Sequence, residues 1–223
     1  MLHTFRTKFS RRPFPANLSA LKSCRISYSQ YGEDLFLTSL LGYEKTDGVF
    51  IDIGCYHPIE LSNTYIFSQR GWAGVAIDPN PRWAEAWRKF RPRDHFVNAA
   101  VSSTEGQSLY LLNSRYPAMN RLIDALPAEG LSPDESTTTV PTLRLDGIAA
   151  RLLPGRAIDL VNIDCEGHDL AVLQSIDFDT MRPKVIAVED LTLQDGSSVS
   201  TFLISKGYAC RAVIGITKIF EAE

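Results

Sequence analysis

The stretch 49-VFIDIGCYHP-58 decides the fold of this chain. An apolar run reaches an aspartate and then a glycine, where the chain must turn. A buried parallel strand delivers a backbone turn to a nucleotide in this way. A dinucleotide fingerprint would continue with a second and a third glycine. Here Cys55, Tyr56, His57 and Pro58 follow instead. The ligand therefore needs a close approach at Gly54 but not the glycines that cradle a pyrophosphate.

Outward from that strand, short apolar runs alternate with helical patterns, the mark of βαβ units and a mostly parallel sheet. The pattern predicts a helix over 29–41, capped at Ser27 or Ser29, before the first strand at Val49–Ile53. A helix from Ser62 to Arg70 and a strand at Gly74–Ile77 come next. In 78-DPNPRWAEAWRKF-90, Asn80 caps a helix whose first residue is Pro81. Trp83 and Trp87 share one face of it by their i,i+4 spacing, as packing residues. A third strand spans His95–Ala100. Segments 108–113 and 138–146 read as strands outside the βαβ rhythm, separated by an exposed loop over 127–137. The rhythm resumes with a strand at Ile158–Ile163, a helix over Asp169–Ser175, a strand at Lys184–Val188 and a helix over Val199–Lys206. Around Gly215, 208-YACRAVIGITKIF-220 leaves no room for a crossover helix, so its two strands must pair antiparallel. The expected architecture is five parallel strands closed by a terminal hairpin.

Composition bounds the function. The chain has 223 residues, enough for one domain with additions around a single core. A net charge of −3 argues against a nucleic-acid partner, which would meet a basic field. No apolar run approaches the ~20 residues that span a bilayer. Residues 1–32 carry Arg6, Lys8, Arg11, Arg12, Lys22 and Arg25 with no acid. Residues 1–27 are expected to form a mobile basic extension; a transit peptide and a patch touching anionic lipid headgroups are the alternatives. A secretory signal is not expected, because an apolar h-region is missing. Cys24, Cys55, Cys165 and Cys210 lack metal or dithiol spacing, which suits free thiols in a cytoplasmic protein.

Ligands of open α/β sheets bind beyond the carboxyl ends of the strands. Those ends carry Asp52, Asp78, Asn98, Asp164 and Glu189-Asp190. Caps of following helices explain Asn80 or Asp169, but not acids that directly continue buried strands. Asp78 stands 24 residues after Gly54, where a carboxylate can accept both hydroxyls of an adenosine ribose. A ribose without a diphosphate describes S-adenosylmethionine better than NAD.

The chain resembles the FkbM family of S-adenosylmethionine-dependent methyltransferases, whose members mostly methylate hydroxyl oxygens of sugars and other natural products. The resemblance rests on 28-YSQYGEDLFL-37, 50-FIDIGCYHP-58, 62-SNTY-65, 70-RGWAGVAIDPNP-81, 97-VNAAVS-102, 144-RLD-146, 159-DLVNIDCEGHDLAVLQ-174 and 185-VIAVE-189. Cys55, where the family commonly has alanine, is the visible departure. The resemblance implies a class I methyltransferase Rossmann-like fold: a mostly parallel seven-stranded sheet, a C-terminal antiparallel hairpin and helices on both faces. It covers a domain over 28–223, with 103–140 as an insertion or lid region. It implies a first cofactor loop of Asp52, Gly54 and Cys55, and a ribose contact at Asp78-Pro79. Asn98 and Ala99 would border the adenine. Asn63, beside Ser62 and Thr64, would open a helix facing the methionine carboxylate, and Asp164 would lie beside the methyl group.

An aliphatic hydroxyl is a poor nucleophile until its proton can leave. The candidate acids and bases are Asp164, Glu166, His57 and His168, although either histidine can equally be a packing residue. Crowded carboxylates raise one another's pKa or share a hard cation such as Mg²⁺. No ligand spacing demands a metal, so a metal-free site is expected; a divalent cation, if used, would take Asp164, Glu189 and Asp190. The acceptor is expected to be a small-molecule or glycan hydroxyl. The competing functions are a nucleotide-sugar epimerase or reductase on a related fold, weakened by the missing GxGxxG, and an inactive nucleoside-binding module.

Overall fold

The computed structural model describes residues 22–106, 108–113, 117–123, 130–192 and 196–223. Most of the basic extension and part of the expected 103–140 insertion, including 124–129 of its loop, lie outside the described residues. The chain opens with helix α1 (Glu33–Leu41) and strand β1 (Val49–Ile53), every residue of which is buried. Helix α2 (Tyr65–Gln69), strand β2 (Ala73–Ile77), helix α3 (Ala84–Phe90) and strand β3 (His95–Val97) follow. Short strands β4 (Ala100–Val101), β5 (Ser108–Asn113), β6 (Arg121–Ile123) and β7 (Ser136–Leu143) come next. Helix α4 (Leu145–Leu152) leads to strand β8 (Leu160–Ile163), helix α5 (Asp169–Leu173) and strand β9 (Val185–Glu189). Helix α6 (Ser198–Ser205) and strands β10 (Tyr208–Ile214) and β11 (Thr217–Ala222) end the described chain.

The main sheet has seven strands in the order β10-β11-β9-β8-β1-β2-β3. β3, β2, β1, β8 and β9 run parallel, while β11 pairs antiparallel with β9 and with β10. This is the expected parallel sheet with its terminal hairpin. Strand order reverses between β1 and β8, and a ligand crevice opens outside the carboxyl ends at such a point. The apolar alternation of the buried strands divides into two cores. Ile51, Ile53, Val161 and Ile163 face one, with α4, α5 and α6 residues such as Ile148, Leu173 and Leu203. Phe50, Leu160, Val185 and Ala187 face the other, with Leu37, Phe67 and Trp72.

A second, four-stranded sheet in the order β4-β7-β5-β6 accommodates the segments outside the βαβ rhythm. It corrects two expectations. The strand at His95–Ala100 is split: β3 stays in the main sheet, while Ala100–Val101 pairs with Thr142 and Leu143 of β7. The strand expected over 138–146 ends at Leu143, and Leu145–Leu152 is a helix. Its apolar residues recur at helical spacing, and Leu145, Ile148 and Ala149 are buried.

Side chains also move two helix starts. α1 begins at Glu33, not at Ser29. The buried Asp34 carboxylate accepts the Tyr28 amide at 2.8 Å and the Ser27 and Ser29 hydroxyls at 2.6 and 2.9 Å, which holds 27–32 in a turn. Ser62 Oγ accepts the Tyr65 amide at 3.1 Å, so 62–64 is a turn feeding α2. Asn80 caps, as expected with Pro81 first, but the turn it caps is a 3-10 turn, Pro81–Trp83, that runs into α3; its side chain accepts the Arg82 amide at 3.2 Å.

Candidate functional site

A cavity of about 400 Å³ opens at the carboxyl ends of β1, β2, β8 and β9. Its floor depends on Gly54, whose φ is 71°. The turn after β1 lies against the turn after β8 so closely that a Cβ on Gly54 would sit 1.7 Å from the Asp164 carbonyl oxygen. Only glycine satisfies both the left-handed backbone and that contact. The Gly54 and Cys55 amides donate to the Ile77 carbonyl at 2.9 and 3.2 Å, which ties the first loop to the end of β2.

Asp78 follows directly. Its carboxylate accepts the Tyr56 amide at 3.0 Å and the Asn80 amide at 2.8 Å, and it lines the cavity. Burial pushes its pKa up to about 6 against those two hydrogen bonds. Each oxygen keeps lone-pair capacity for a further donor. Ile77, Pro79, Ala99, Ala100 and Val101 supply an apolar wall beside it. Behind that wall, Cys55 packs with Ala76, Trp83 and Trp87, and the Trp87 indole donates to the Tyr56 carbonyl at 2.8 Å.

Beneath the floor runs a buried polar chain that sequence reasoning saw only in part. Asn63 Nδ2 donates to Asn162 Oδ1 at 2.9 Å, and Asn162 Nδ2 donates to Asp52 Oδ1 at 2.9 Å. The other Asp52 oxygen accepts the Thr64 hydroxyl at 2.5 Å, and Thr64 Oγ1 accepts Arg91 Nη1 at 2.9 Å. Arg91 pairs at 2.6 Å with Asp94, whose side chain is also fully buried. Burial raises the Asp52 pKa, while Thr64, Arg91 and Asn162 work against the rise. Asp52 thus anchors the loop carrying Asn63. The signal available in the sequence was Asn162, a polar residue inside an otherwise apolar strand run.

The other half of the cavity is acidic. Asp164, Glu166 and Glu189 each place one carboxylate oxygen within 4.8 Å of the others'. All three line the cavity. The Asp164 side chain is solvent-exposed towards the cavity, although the protein around the end of β8 packs closely about it. Burial first, then Glu189 and Glu166, push its pKa well above the usual carboxylate range. Burial and the Glu166 and Asp169 charges lift Glu189 to about 7. The loop that presents them is held by Asp169, which accepts the Cys165 and Gly167 amides, each at 3.0 Å. Glu166 sits in the left-handed region at φ 50°, an uncommon backbone for a residue with a side chain. Burial, with the nearby carboxylates, also pushes the Cys55 and Cys165 thiols well up, away from the thiolate form.

The structure gathers Asp52, Gly54, Cys55, Asn63, Asp78, Pro79, Ala99, Asp164, Glu166 and Glu189 around one cavity. It places four other candidates elsewhere. His57 Nδ1 accepts the Ile59 and Glu60 amides at 3.3 and 3.0 Å, shaping the turn rather than facing the cavity. His168 precedes α5 and lies off the cavity wall. Asn98 is exposed and donates to the Asp78 carbonyl at 2.9 Å, so it supports the turn after β2 from outside the cavity. Asp190 is turned away from Asp164 and Glu189 and pairs with Lys218 at 2.9 Å. Burial works upward on Asp190, but hydrogen bonds from Ser197, Thr192 and Lys218 hold its pKa at about 2. The triad expected for a cation, Asp164 with Glu189 and Asp190, is therefore not assembled; Glu166 stands in the place given to Asp190. Sequence reasoning also missed the rim: Gln30 and Glu33 before β1, Met119 just before β6, Leu122 on β6, and Leu191 after β9.

The chain is similar to several known proteins. Among solved structures, a TehB-like SAM-dependent methyltransferase from Corynebacterium glutamicum is 12% identical, with 92% of each chain covered and a TM-score of 0.43. The C-terminal domain of precorrin-6Y C5,15-methyltransferase from Rhodobacter capsulatus is 12% identical, with 85% of each chain covered and a TM-score of 0.42. A 1,6-didemethyltoxoflavin-N1-methyltransferase from Burkholderia thailandensis is 14% identical, covering 86% of this chain and 77% of its own, with a TM-score of 0.41. No curated protein sequence matches. No helix among the described residues is long and apolar enough to cross a membrane. The decisive match is at the level of sequence: the model of the methyltransferase FkbM domain covers residues 52–209, well over half of the chain and the whole floor of the cavity. The chain belongs to the FkbM methyltransferase family.

Proposed function

We propose that this protein uses S-adenosylmethionine to methylate a hydroxyl oxygen of a small molecule or glycan. The observation that carries the reading is the division of one cavity into two chemically different halves. A nucleoside half combines the Gly54 turn, the Asp78 carboxylate and an apolar wall; a reaction half holds three carboxylates. S-adenosylmethionine would supply an electrophilic methyl group on a sulfonium.

The residues present fit that molecule. Asp78 offers free acceptor capacity to a ribose diol, and Ile77, Pro79, Ala99 and Val101 offer an apolar surface to a purine. A 400 Å³ cavity lies within the range of small-molecule sites. Asn63, fixed by Asn162, would hold the amino-acid end. In the reaction half, Asp164 and Glu189 would accept the proton that the hydroxyl loses, since a raised carboxylate pKa makes a better base near neutral pH. Glu166 would orient the acceptor from the rim. Oxygen is favoured as the atom methylated because carboxylates accept hydrogen bonds from hydroxyls and remove their protons.

The test is equilibrium binding of S-adenosylmethionine and of NAD to the purified chain, followed by transfer of labelled methyl groups to a panel of sugars and hydroxylated small molecules. S-adenosylmethionine binding with methyl ether formation is expected. Preferential NAD binding would turn the reading towards the epimerase and reductase class. S-adenosylmethionine binding with transfer only to nitrogen or carbon would overturn the hydroxyl assignment.

A further inference from the structure

We infer that Asp164, Glu166 and Glu189 form a binding site for one divalent cation of the hard, oxygen-seeking class. Geometry carries the inference. One oxygen from each carboxylate lies within 4.8 Å of the other two. Ligands on opposite sides of an ion are separated by twice the metal–oxygen distance, about 4.2 Å for Mg²⁺ and about 4.8 Å for Ca²⁺. The three oxygens can therefore meet one ion with little rearrangement. Their chemistry is right as well, because an all-carboxylate set selects Mg²⁺, Mn²⁺ or Ca²⁺ over softer metals.

A second observation points to a ligand. Glu189 is 5% exposed, and its Oε2 has no hydrogen-bond partner among the described residues, although the side chain lines the cavity. A buried carboxylate oxygen left without a donor is costly, and a coordinated cation removes that cost. The surrounding charge agrees. Arg121, exposed on β6, offsets part of the charge at Glu166, whereas the charges acting most strongly on Asp164 and Glu189 come from other carboxylates. Asp190, the nearest further acid in sequence, already has its cation in Lys218.

Three carboxylate ligands leave about three positions of a six-coordinate ion open to the cavity. Two neighbouring oxygens of an acceptor would occupy them, which favours substrates with vicinal oxygen functions. With the ion bound, Asp164 and Glu189 would serve as its ligands, and the ion, in place of a free carboxylate base, would lower the pKa of the bound hydroxyl. That role rests on the methyl-transfer reading; the existence of the site does not.

The test is a titration of the metal-stripped full chain with Mn²⁺, followed by the electron paramagnetic resonance of the free ion. The wild type should show one saturable site from which Mg²⁺ or Ca²⁺ displaces Mn²⁺. Asp164→Asn and Glu189→Gln should each weaken binding ~10-fold or more, because the charge count of the ligands sets affinity. Glu85→Gln, which removes an exposed acid outside the cavity, should leave binding unchanged. Thermal melts establish that each variant is folded, and Glu166→Gln replaces any that is not. Absence of a saturable site up to about 1 mM Mn²⁺, a concentration at the weak end for protein Ca²⁺ sites, would overturn the inference. Equal affinity in the wild type and in the folded variants would overturn it too. Neither methyl donor nor acceptor is present in the titration, so its failure and a failure of methyl transfer are read separately.

Discussion

Replacing Asp78 with alanine should separate ligand binding from folding. The carboxylate accepts two backbone amides and has capacity for two ribose hydroxyls. Two charge-assisted hydrogen bonds in a desolvated cavity are together worth about 2–4 kcal/mol, or ~30- to ~1,000-fold in affinity. Stability should move far less. Asp78 has a folded-state pKa of about 6 against an ordinary 3.8, a difference worth about 3 kcal/mol. Because the pKa is raised, that cost is absent below the ordinary value and fully present above pH 6. Alanine removes the cost at pH 7.5 but leaves the Tyr56 and Asn80 amides without their acceptor, at about 1–3 kcal/mol each when they stay dry. The two effects oppose each other. Calorimetric titration of S-adenosylmethionine at pH 7.5, with thermal melts of both proteins, measures the two quantities independently. An unchanged dissociation constant in a folded Asp78→Ala protein would refute the assignment of Asp78 to the ribose.

The same pKa gives a pH signature: wild-type affinity for S-adenosylmethionine should fall as pH drops through about 6, and a flat affinity profile from pH 7.5 to 5 would count against Asp78. Asp164→Asn keeps the side-chain shape and removes the charge, so methyl transfer should drop ~100-fold or more while the donor still binds; near-normal turnover would remove Asp164 from the reaction. Gly54→Ala places a Cβ 1.7 Å from the Asp164 carbonyl oxygen at a positive φ, and should abolish donor binding with a clear loss of thermal stability. Lys218→Met leaves Asp190 charged and buried without its partner, a loss of about 3–5 kcal/mol that should lower the melting temperature by roughly 6–20 °C.

Most of the parallel sheet was legible because its signals are local. A buried strand is a short apolar run, and the acid that ends it marks where the backbone leaves the core. Val49–Ile53 with Asp52 and Gly54, Ala73–Ile77 with Asp78, and Leu160–Ile163 with Asp164 all follow this rule. The lack of a crossover helix around Gly215 made the hairpin legible in the same way. What the sequence could not settle was direction. Consecutive residues leave an extended chain on opposite sides, so Glu189 enters the cavity while Asp190 turns to Lys218. Nothing in the string Glu-Asp says which residue does which; the packing of β11 against β9 decides it. The same holds for Ala99, which meets the cavity, and Asn98, which does not. The chain from Asn63 through Asn162, Asp52 and Thr64 to Arg91 joins two strands, β1 and β8, to the turn before α2 and the end of α3. The residues on the sequence side were capable of the chemistry. Their convergence on one cavity of about 400 Å³ required the sheet to bring β1, β2, β8 and β9 side by side, because a carboxylate's pKa, partner and access depend on neighbours as distant in sequence as Asn162 is from Asp52, 110 residues.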